Sequence, residues 1–557
     1  MILTYPLSYD PGYRSDNQKI ATPLPVEAYT LVKAGAVTSG ESEPSYAAPS
    51  VINGAAVSAQ TFHDLWYYRV HLFPAQVSLG NLSGDVQRQI VLWNANFNPV
   101  SLSSVVASGD GISYQTDAAV PSMMAPLEYQ TYTLLVSGSG ASVVEGTITY
   151  TVDGVPYVVP ISGMRSVLLP FKPNWASGMR ETLQWRTSLT TSFSGKEQVK
   201  SLRSPRRIFE YALQLLDRRE AALYDQLLFG WSARMFTVPI WNEGASLASA
   251  SPMGSSVLDV DTSFMTLEAG GNLVLYRGAF DYELAQVESF TSDSVVLRNT
   301  LGQEWAAGSK IYPMMVGALE PSNANSRNSD WYLSASLRIT ASPGEVPLKL
   351  PIVPATQLYK GDELYTRFDT NWRDVMAGSN EARETRQDND LGVIRIAPHA
   401  DYPLRMRSFS WLVSSRAMDL ELRAFFARRG GRQYPAWMSS GTDDFVLAAP
   451  TIPGSNQLST APNQYASLIR QHPAMRHILL VLRDGRRLPY EIVDSTDTDG
   501  LTILSLDRNF EEVIAPEQLK RISYLGLYRL GADDVTFDRK TDTVAEVAVN
   551  FVLKVPE

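Results

Sequence analysis

The sequence contains no cysteine. That excludes disulfide staples, zinc–thiolate sites, iron–sulfur clusters and cysteine nucleophiles. Histidine is scarce: His63, His71, His399, His472 and His477 are scattered without H-x3-H or HExxH spacing, so zinc-hydrolase chemistry is not expected. A Walker A loop, a GxSxG elbow, a GxGxxG after a strand and a complete EF-hand loop are all missing. No apolar run approaches the roughly 20 residues that span a bilayer. The segment opening at Met1 has no basic region followed by an apolar one, so no signal peptide is expected. A soluble chain made in a reducing or redox-indifferent setting is the expectation. Positive charge is also in deficit, 48 Lys and Arg against 58 Asp and Glu, a net −10. Such a surface repels phosphate backbones and disfavours nucleic-acid binding.

What is present is a folded, turn-rich chain of 557 residues, 44% hydrophobic, with 36 Gly and 33 Pro. At about 150 residues per domain this predicts three or four domains. Residues 1–170 carry 18 charged side chains and the other 387 carry 88, so the first third is a different kind of domain. Residues 1–60, rich in Pro, Ser, Ala and Gly, read as an extended N-terminal arm. Over 61–170, short strands near Trp66–Leu72, Gln89–Trp93, Thr131–Val136, Gly146–Val152 and Tyr157–Ile161 alternate with turn signals, among them a type I′ signal at Asp153-Gly154. This spacing predicts a β-sandwich. The succession Leu79-Gly80, Val91–Asn94 and Gly146–Gly163 resembles immunoglobulin-like sandwiches of the major-sperm-protein type, which implies a packing and docking module.

The rest of the chain reads as a tandem duplication. Trp185, Arg186 and Glu197 recur as Trp372, Arg373 and Glu384 at a constant shift of 187. An aromatic pair at strand spacing (Phe209/Tyr211, Phe409/Trp411) leads in each copy to an amphipathic helix of about 12 residues. An aromatic–Pro–Trp cluster follows, ending at Trp241 and Trp437. Further strands match in order: Leu273–Gly278 with Leu480–Gly485, Ile311 with Ile522, and Trp331–Ile339 with Val544–Phe551. The predicted architecture is therefore mainly β (α+β). An immunoglobulin-like sandwich is followed by two copies of a β-rich domain with one helix each, repeat one over 180–340 and repeat two over 363–557. A Pro-rich spacer covers 341–362.

Candidate chemistry is thin. The acidic stretches Asp494–Asp499 and Asp259–Asp261 read as β-turns using Asx side chains before they read as calcium loops. Glu197 and Glu384, one per repeat, do not make a glycosidase pair, and ion pairing to arginines such as Arg203 or Arg206 is expected instead. Arg203, Arg206 and Arg207, and the Arg428-Arg429-Gly-Gly-Arg432 stretch, read as exposed surfaces meeting acidic partner residues. Trp185, Trp372, Trp241 and Trp437 read as core or interface anchors. No catalytic residue, metal or cofactor is expected.

The run Trp185, Gly195-Lys-Glu197, Leu202-Arg-Ser-Pro-Arg-Arg207, Phe209-Glu-Tyr211 and Phe236-Thr-Val-Pro-Ile-Trp241 resembles tail-tip and baseplate proteins of long-tailed bacteriophages. The resemblance covers 180–340 well and 366–555 more loosely; in the second copy Ala397–Arg405 replaces the Ser-Pro-Arg-Arg segment. It implies a virion structural role in the tail tip, joining the tail tube to a hub and to receptor-binding proteins or fibres, in a chain made in the bacterial cytoplasm. Duplication gives this a physical rationale: two similar domains per chain let a trimer, favoured over a hexamer, meet a six-fold ring. The competing expectations are a receptor- or carbohydrate-binding tail protein, suggested by 11 Trp and 26 Tyr, and a polysaccharide depolymerase, for which no carboxylate pair stands out.

Overall fold

The computed structural model describes residues 66–342 and 357–554, apart from isolated positions and short stretches such as 193–196, 232–234 and 372–375. The arm expected over 1–60 and most of the Pro-rich spacer lie outside the described residues. The fold is mainly β, of the α+β kind.

Alternating apolar residues build an immunoglobulin-like sandwich first. Ile90 and Leu92, Tyr132 and Leu134, Ile148 and Tyr150, and Val159 and Ile161 all point inward and are buried. One sheet orders the strands Val70–Phe73, Val86–Asn94, Tyr129–Val136 and Ile112–Gln115. The other orders Val77–Leu82, Val155–Arg165, Val143–Val152, Val100–Ser108 and Ser122–Met124. Tyr132 and Tyr150 meet edge-on between them, ring centroids 4.9 Å apart. Asp153 and Gly154 both have positive φ, as the type I′ turn between Val143–Val152 and Val155–Arg165 requires. The strands Val77–Leu82 and Val100–Ser108 were not expected; their Ser and Gly content hides the apolar alternation.

The sandwich's last strand runs straight on into Val167–Leu168, which pairs in parallel with Met235–Pro239. From there one pattern of pairings occurs twice. In the first unit Glu197–Leu215 pairs with Leu333–Ala341, a helix α1 (Arg218–Gly230) follows, and Met235–Pro239 pairs with Lys310–Leu319. In the second unit Leu404–Val413 pairs with Ala545–Lys554, a helix α2 (Arg416–Arg429) follows, and Ala436–Ser439 pairs with Leu519–Leu530. The parallel pair of the second unit is Asp362–Leu364 with Ala436–Ser439. Each unit then folds an inserted antiparallel lobe with its own core, around Leu258, Val287 and Trp305 in the first and Leu458, Ile492 and Leu504 in the second. Both helices start on a side-chain cap: Asp217 accepts from the Arg219 amide and Ser415 from the Met418 amide.

Several sequence expectations shift. The spacer does not reach 362: Leu358–Tyr359 and Asp362–Leu364 are strands of the second unit, with Tyr359 and Leu364 in its core. Asp494–Thr498 belongs to the strand Arg487–Thr498 and is not a turn. Counting back from the caps Asp217 and Ser415, Arg207 corresponds to Arg405. Leu183 pairs with Arg207 and Asn380 with Arg405, so Leu183 matches Asn380, Glu181 matches Gly378 and Trp185 matches Ala382. The shift of 187 is therefore not the one the strands keep: the register moves Leu183 to Asn380 and Arg207 to Arg405, about ten positions farther along. Glu197 and Glu384 are not counterparts.

Candidate functional site: the joint between the two units

The strand Met179–Thr191 has a partner on each edge. On one side lies Glu197–Leu215 of its own unit; on the other lies Asp534–Arg539 of the second unit, antiparallel, from Met179 opposite Arg539 to Gln184 opposite Asp534. Four strands of each unit thus follow one another in a single antiparallel run. Its order is Asn325–Arg327, Leu333–Ala341, Glu197–Leu215, Met179–Thr191, Asp534–Arg539, Ala545–Lys554, Leu404–Val413 and Gly378–Glu381.

Strand periodicity decides what fills this joint. Met179, Glu181, Leu183 and Trp185 alternate onto one buried face, as do Arg207, Phe209 and Tyr211, and Val535, Phe537 and Arg539. A carboxylate and two guanidiniums therefore sit where the pattern calls for apolar side chains. Helix α2 adds Asp419 and Arg423, one turn apart, and the turn Trp241–Glu243 adds Glu243. Glu181, fully buried, accepts from Arg207 at 2.8 Å, from Arg423 at 2.6 Å and from Arg539 at 2.7 Å. Glu243 takes Arg207 at 2.6 Å and the Thr266 amide at 2.8 Å. Asp419 takes Arg539 at 3.0 Å and lies 3.0 Å from the Arg423 Nε. Three arginines thus meet three carboxylates, and the cluster is neutral. Burial alone would push the Glu181 carboxyl up, but Arg423, Arg207 and Arg539 hold it well below the usual carboxylate range. Burial works against Glu243 too, and Arg207 and Arg423 bring it down. Burial disfavours the Arg423 charge, yet Asp419, Glu181 and Glu243 raise its pKa overall.

The apolar half of the joint is borrowed. Leu183 and Trp185 belong to the first unit but pack in the second unit's core, in one cluster with Phe426, Val535 and Phe537. The Asp533 carboxylate accepts from the Thr187 amide at 2.7 Å and from the Arg432 amide at 3.2 Å, and the Asp533 carbonyl accepts from the Trp185 amide at 2.7 Å. Farther along, Glu197 is clamped by Arg529, with both bonds at 2.6 Å.

These positions correct most of the sequence-based site residues. Glu197 pairs with Arg529 across the joint, and not with Arg203 or Arg206. Arg207 is buried in the ionic cluster and unavailable to any outside partner. Arg203 and Arg206 are half-buried on the continuous strand Glu197–Leu215, where Arg203 donates to Gln184 at 3.0 Å. Arg428 and Arg429 close α2 and are not on an exposed loop. Arg428 grips the buried Glu363 at 2.7 and 3.0 Å, Arg429 bonds it as well, and Gly430 takes the left-handed cap conformation. Trp241 is a core residue, edge-on to Tyr276 and Tyr312 at 5.2 and 5.0 Å. Trp437 is another, against Tyr359 and His477 at 5.2 and 4.5 Å. Glu384 is exposed on a separate hairpin, Glu384–Gln387 with Arg395–Pro398. Trp372 lies outside the described residues.

Glu181, Glu243, Asp419, Arg423, Asp533 and Arg539 escaped the sequence reading. The available signal was a charge at an inward alternation position, as in Met179-Arg-Glu181-Thr-Leu183-Gln-Trp185. Chemically, the cluster holds shape. Its charges are mutually satisfied, and desolvating them costs about as much as their attraction returns, so such a cluster fixes how surfaces meet more than it adds stability. Among the described residues no group of three or more His, Asp or Glu has the geometry to hold a metal ion. No helix among them is long and apolar enough to cross a membrane.

No protein-family model matches the chain. No curated protein matches it either. Among solved structures, the secreted serine protease VesC from Vibrio cholerae is similar at 10% identity over 48% of this chain and 49% of that chain, with a TM-score of 0.16.

Proposed function

We propose that this protein is a structural component of a bacteriophage tail tip or baseplate, joining the tail tube to the hub and to receptor-binding proteins or fibres. The observation that carries the reading is the joint. Two units of one strand order sit side by side in one antiparallel run, locked by a buried ionic cluster and by borrowed core residues. A head-to-tail contact of this kind is the element from which rings are made. Three such chains present six similar units, which suits a six-fold tube meeting a three-fold hub. The resemblance of Trp185–Trp241 to tail-tip proteins gives the ring its biological setting. On this reading the chain is architectural and not an enzyme.

Native mass spectrometry of the purified protein tests the ring, with a three-chain mass expected. A mass of one chain would count against it, and six chains would point to a larger distal collar. Mass spectrometry of purified phage particles tests the setting: the chain should be recovered at a fixed, low copy number. A carbohydrate- or receptor-binding role draws on the sandwich, where His71 stacks between Phe73 and Trp93 at 5.7 and 5.5 Å. Glycan-array binding by the full chain would favour it.

A further inference from the structure

The eight-strand run has two ends, and they are counterparts of the two strands that meet inside the chain. At one end Asn325–Arg327 pairs with Leu333–Ala341, as Asp534–Arg539 pairs with Ala545–Lys554. At the other end Gly378–Glu381 pairs with Leu404–Val413, as Met179–Thr191 pairs with Glu197–Leu215. Inside the chain, Met179–Thr191 and Asp534–Arg539 join. Their counterparts Gly378–Glu381 and Asn325–Arg327 each have one partner strand among the described pairings, and every residue of both is exposed. An open edge of this sort invites another strand.

We infer that the strand around Gly378–Glu381 of one chain pairs antiparallel with the segment 322–327 of a second copy, repeating the internal joint between chains. The inference rests on the ring reading above for its partner, a second copy. The register follows from the internal joint. Leu333 opposite Arg327 corresponds to Ala545 opposite Arg539, so Arg327 stands where Arg539 does. Transferring the pairs from Met179–Arg539 to Gln184–Asp534 sets Met376 opposite Arg327, Gly378 opposite Asn325, Ser379 opposite Ala324, and Glu381 opposite Ser322. Met376 repeats Met179, and none of these positions is proline.

The surroundings fit the same contact. Beside the open edge of the first unit runs a cleft of about 520 Å³ lined by Asp225, Leu228, Phe229, Pro321, Asn323 and Asn325. In the second unit the matching positions, among them Arg423, Phe426, Asp533, Val535 and Phe537, are covered by the first unit's hairpin. Phe229 on the uncovered helix is 95% exposed. Charge carries over as well. The internal cluster's Arg207 and Glu243 correspond to Arg405 and Asp443 on the hairpin side. Its Arg423 and Arg539 correspond to Asp225 and Arg327 on the groove side. The second joint is again neutral, with two arginines and two carboxylates. It is also more polar, since Asn380 and Ala382 replace Leu183 and Trp185. A contact that must form between chains after each has folded suits such a surface, because the unassembled edge then stays soluble.

The absence of native cysteine makes the test clean. A chain carrying Ser379→Cys and Ala324→Cys should form disulfides between chains under mild oxidation, giving covalent two- and three-chain species that neither single variant gives. The internal counterpart, Thr182→Cys with Thr536→Cys, where the hydroxyls lie 3.0 Å apart, should cross-link within one chain and leave the mass unchanged. If the internal pair bonds and the Ser379/Ala324 pair leaves only single chains, the inference is overturned. Hydrogen exchange on the unaltered chain gives a second readout. Amides of 376–381 and 322–327 should gain at least tenfold protection as concentration rises through assembly, and unchanged exchange in a multimeric sample would overturn the pairing. A multimer without this cross-link would sink the edge pairing and leave the ring standing. Cross-linked ladders running past three chains would uphold the pairing and sink the three-chain ring.

Discussion

The two helices compare the two units most directly. α1 buries only Ala221 and Tyr224, whereas α2 buries seven residues, including Asp419, Leu422, Arg423 and Phe426. They have the same place in the same strand order, each capped at its start by a side-chain oxygen. What differs is the neighbour. The outer face of α2 is covered by the hairpin of the first unit, and the outer face of α1 is covered by nothing in the described residues. The backbone pattern therefore belongs to the fold, while the character of the outer face belongs to the interface. A guanidinium at 423 is tolerated in the interior because Glu181 comes from next door.

The strongest way to break this comparison is at Glu181. Glu181→Gln leaves three arginines facing two carboxylates in a buried site, and it should cost about 3–5 kcal/mol of unfolding free energy. Denaturant melts would measure this, and a loss under 1 kcal/mol would mean the cluster is solvated and the joint loose. Trp185→Ala should cost about 3 kcal/mol or somewhat more by leaving a cavity. The loss should fall on the second unit although the residue belongs to the first. Hydrogen exchange would locate it, and faster exchange confined to the first unit would contradict the borrowed core.

Acid should sharpen the contrast further. Burial pushes the His477 imidazole down to about 4, and its Nδ1 is 2.9 Å from the Tyr359 hydroxyl. Because the folded pKa lies below the unfolded value near 6.5, the unfolded chain binds the extra proton. Stability is therefore fully present above pH 6.5 and falls as pH drops toward 4, by about 2 kcal/mol after allowance for partial screening. The first unit has Asn272 at the matching register, opposite Gln286 as His477 is opposite Glu491, and so carries no imidazole there. Thermal melts of His477→Gln across pH 4–7 should flatten this dependence, and an unchanged slope would refute the assignment. Glu181 acts below that window: its lowered pKa contributes stability above the ordinary carboxylate range that is lost only in stronger acid. The smallest effect belongs to the uncovered face. Arg327 pairs with Asp225 in solvent, so Arg327→Ala should shift monomer stability by less than about 1 kcal/mol. A larger loss would show that this face is already structured around the pair.

Legibility in the sequence followed the chemistry of each region. Ile90, Tyr132 and Ile148 announce the sandwich through period-two alternation, and Asp153-Gly154 announces its hairpin turn. Helix α1 with Asp217 and α2 with Ser415 follow an aromatic strand in both copies, and matches such as Ile311 with Ile522 agree with the strand registers. The aligned tryptophans misled. Trp185 takes the register of Ala382, and Trp437 occupies the register of Thr237, not that of Trp241. Arginines misled for a related reason. A basic run such as Arg203-Ser-Pro-Arg206-Arg207 reads as surface, since the carboxylates that bury Arg207 lie 26 and 36 positions away.

The mainly β class, the sandwich, the two helices and the exclusion of thiol chemistry are legible in the residues alone, because each rests on composition or on contacts a few residues apart. That Glu181, Arg423 and Arg539 meet in one buried ionic cluster, and that Trp185 serves its neighbour's core, follows from the tertiary fold alone. Those contacts join residues up to 358 positions apart. A charge at a buried position finds its partner through the pairing of strands, and no local pattern records which strand that will be.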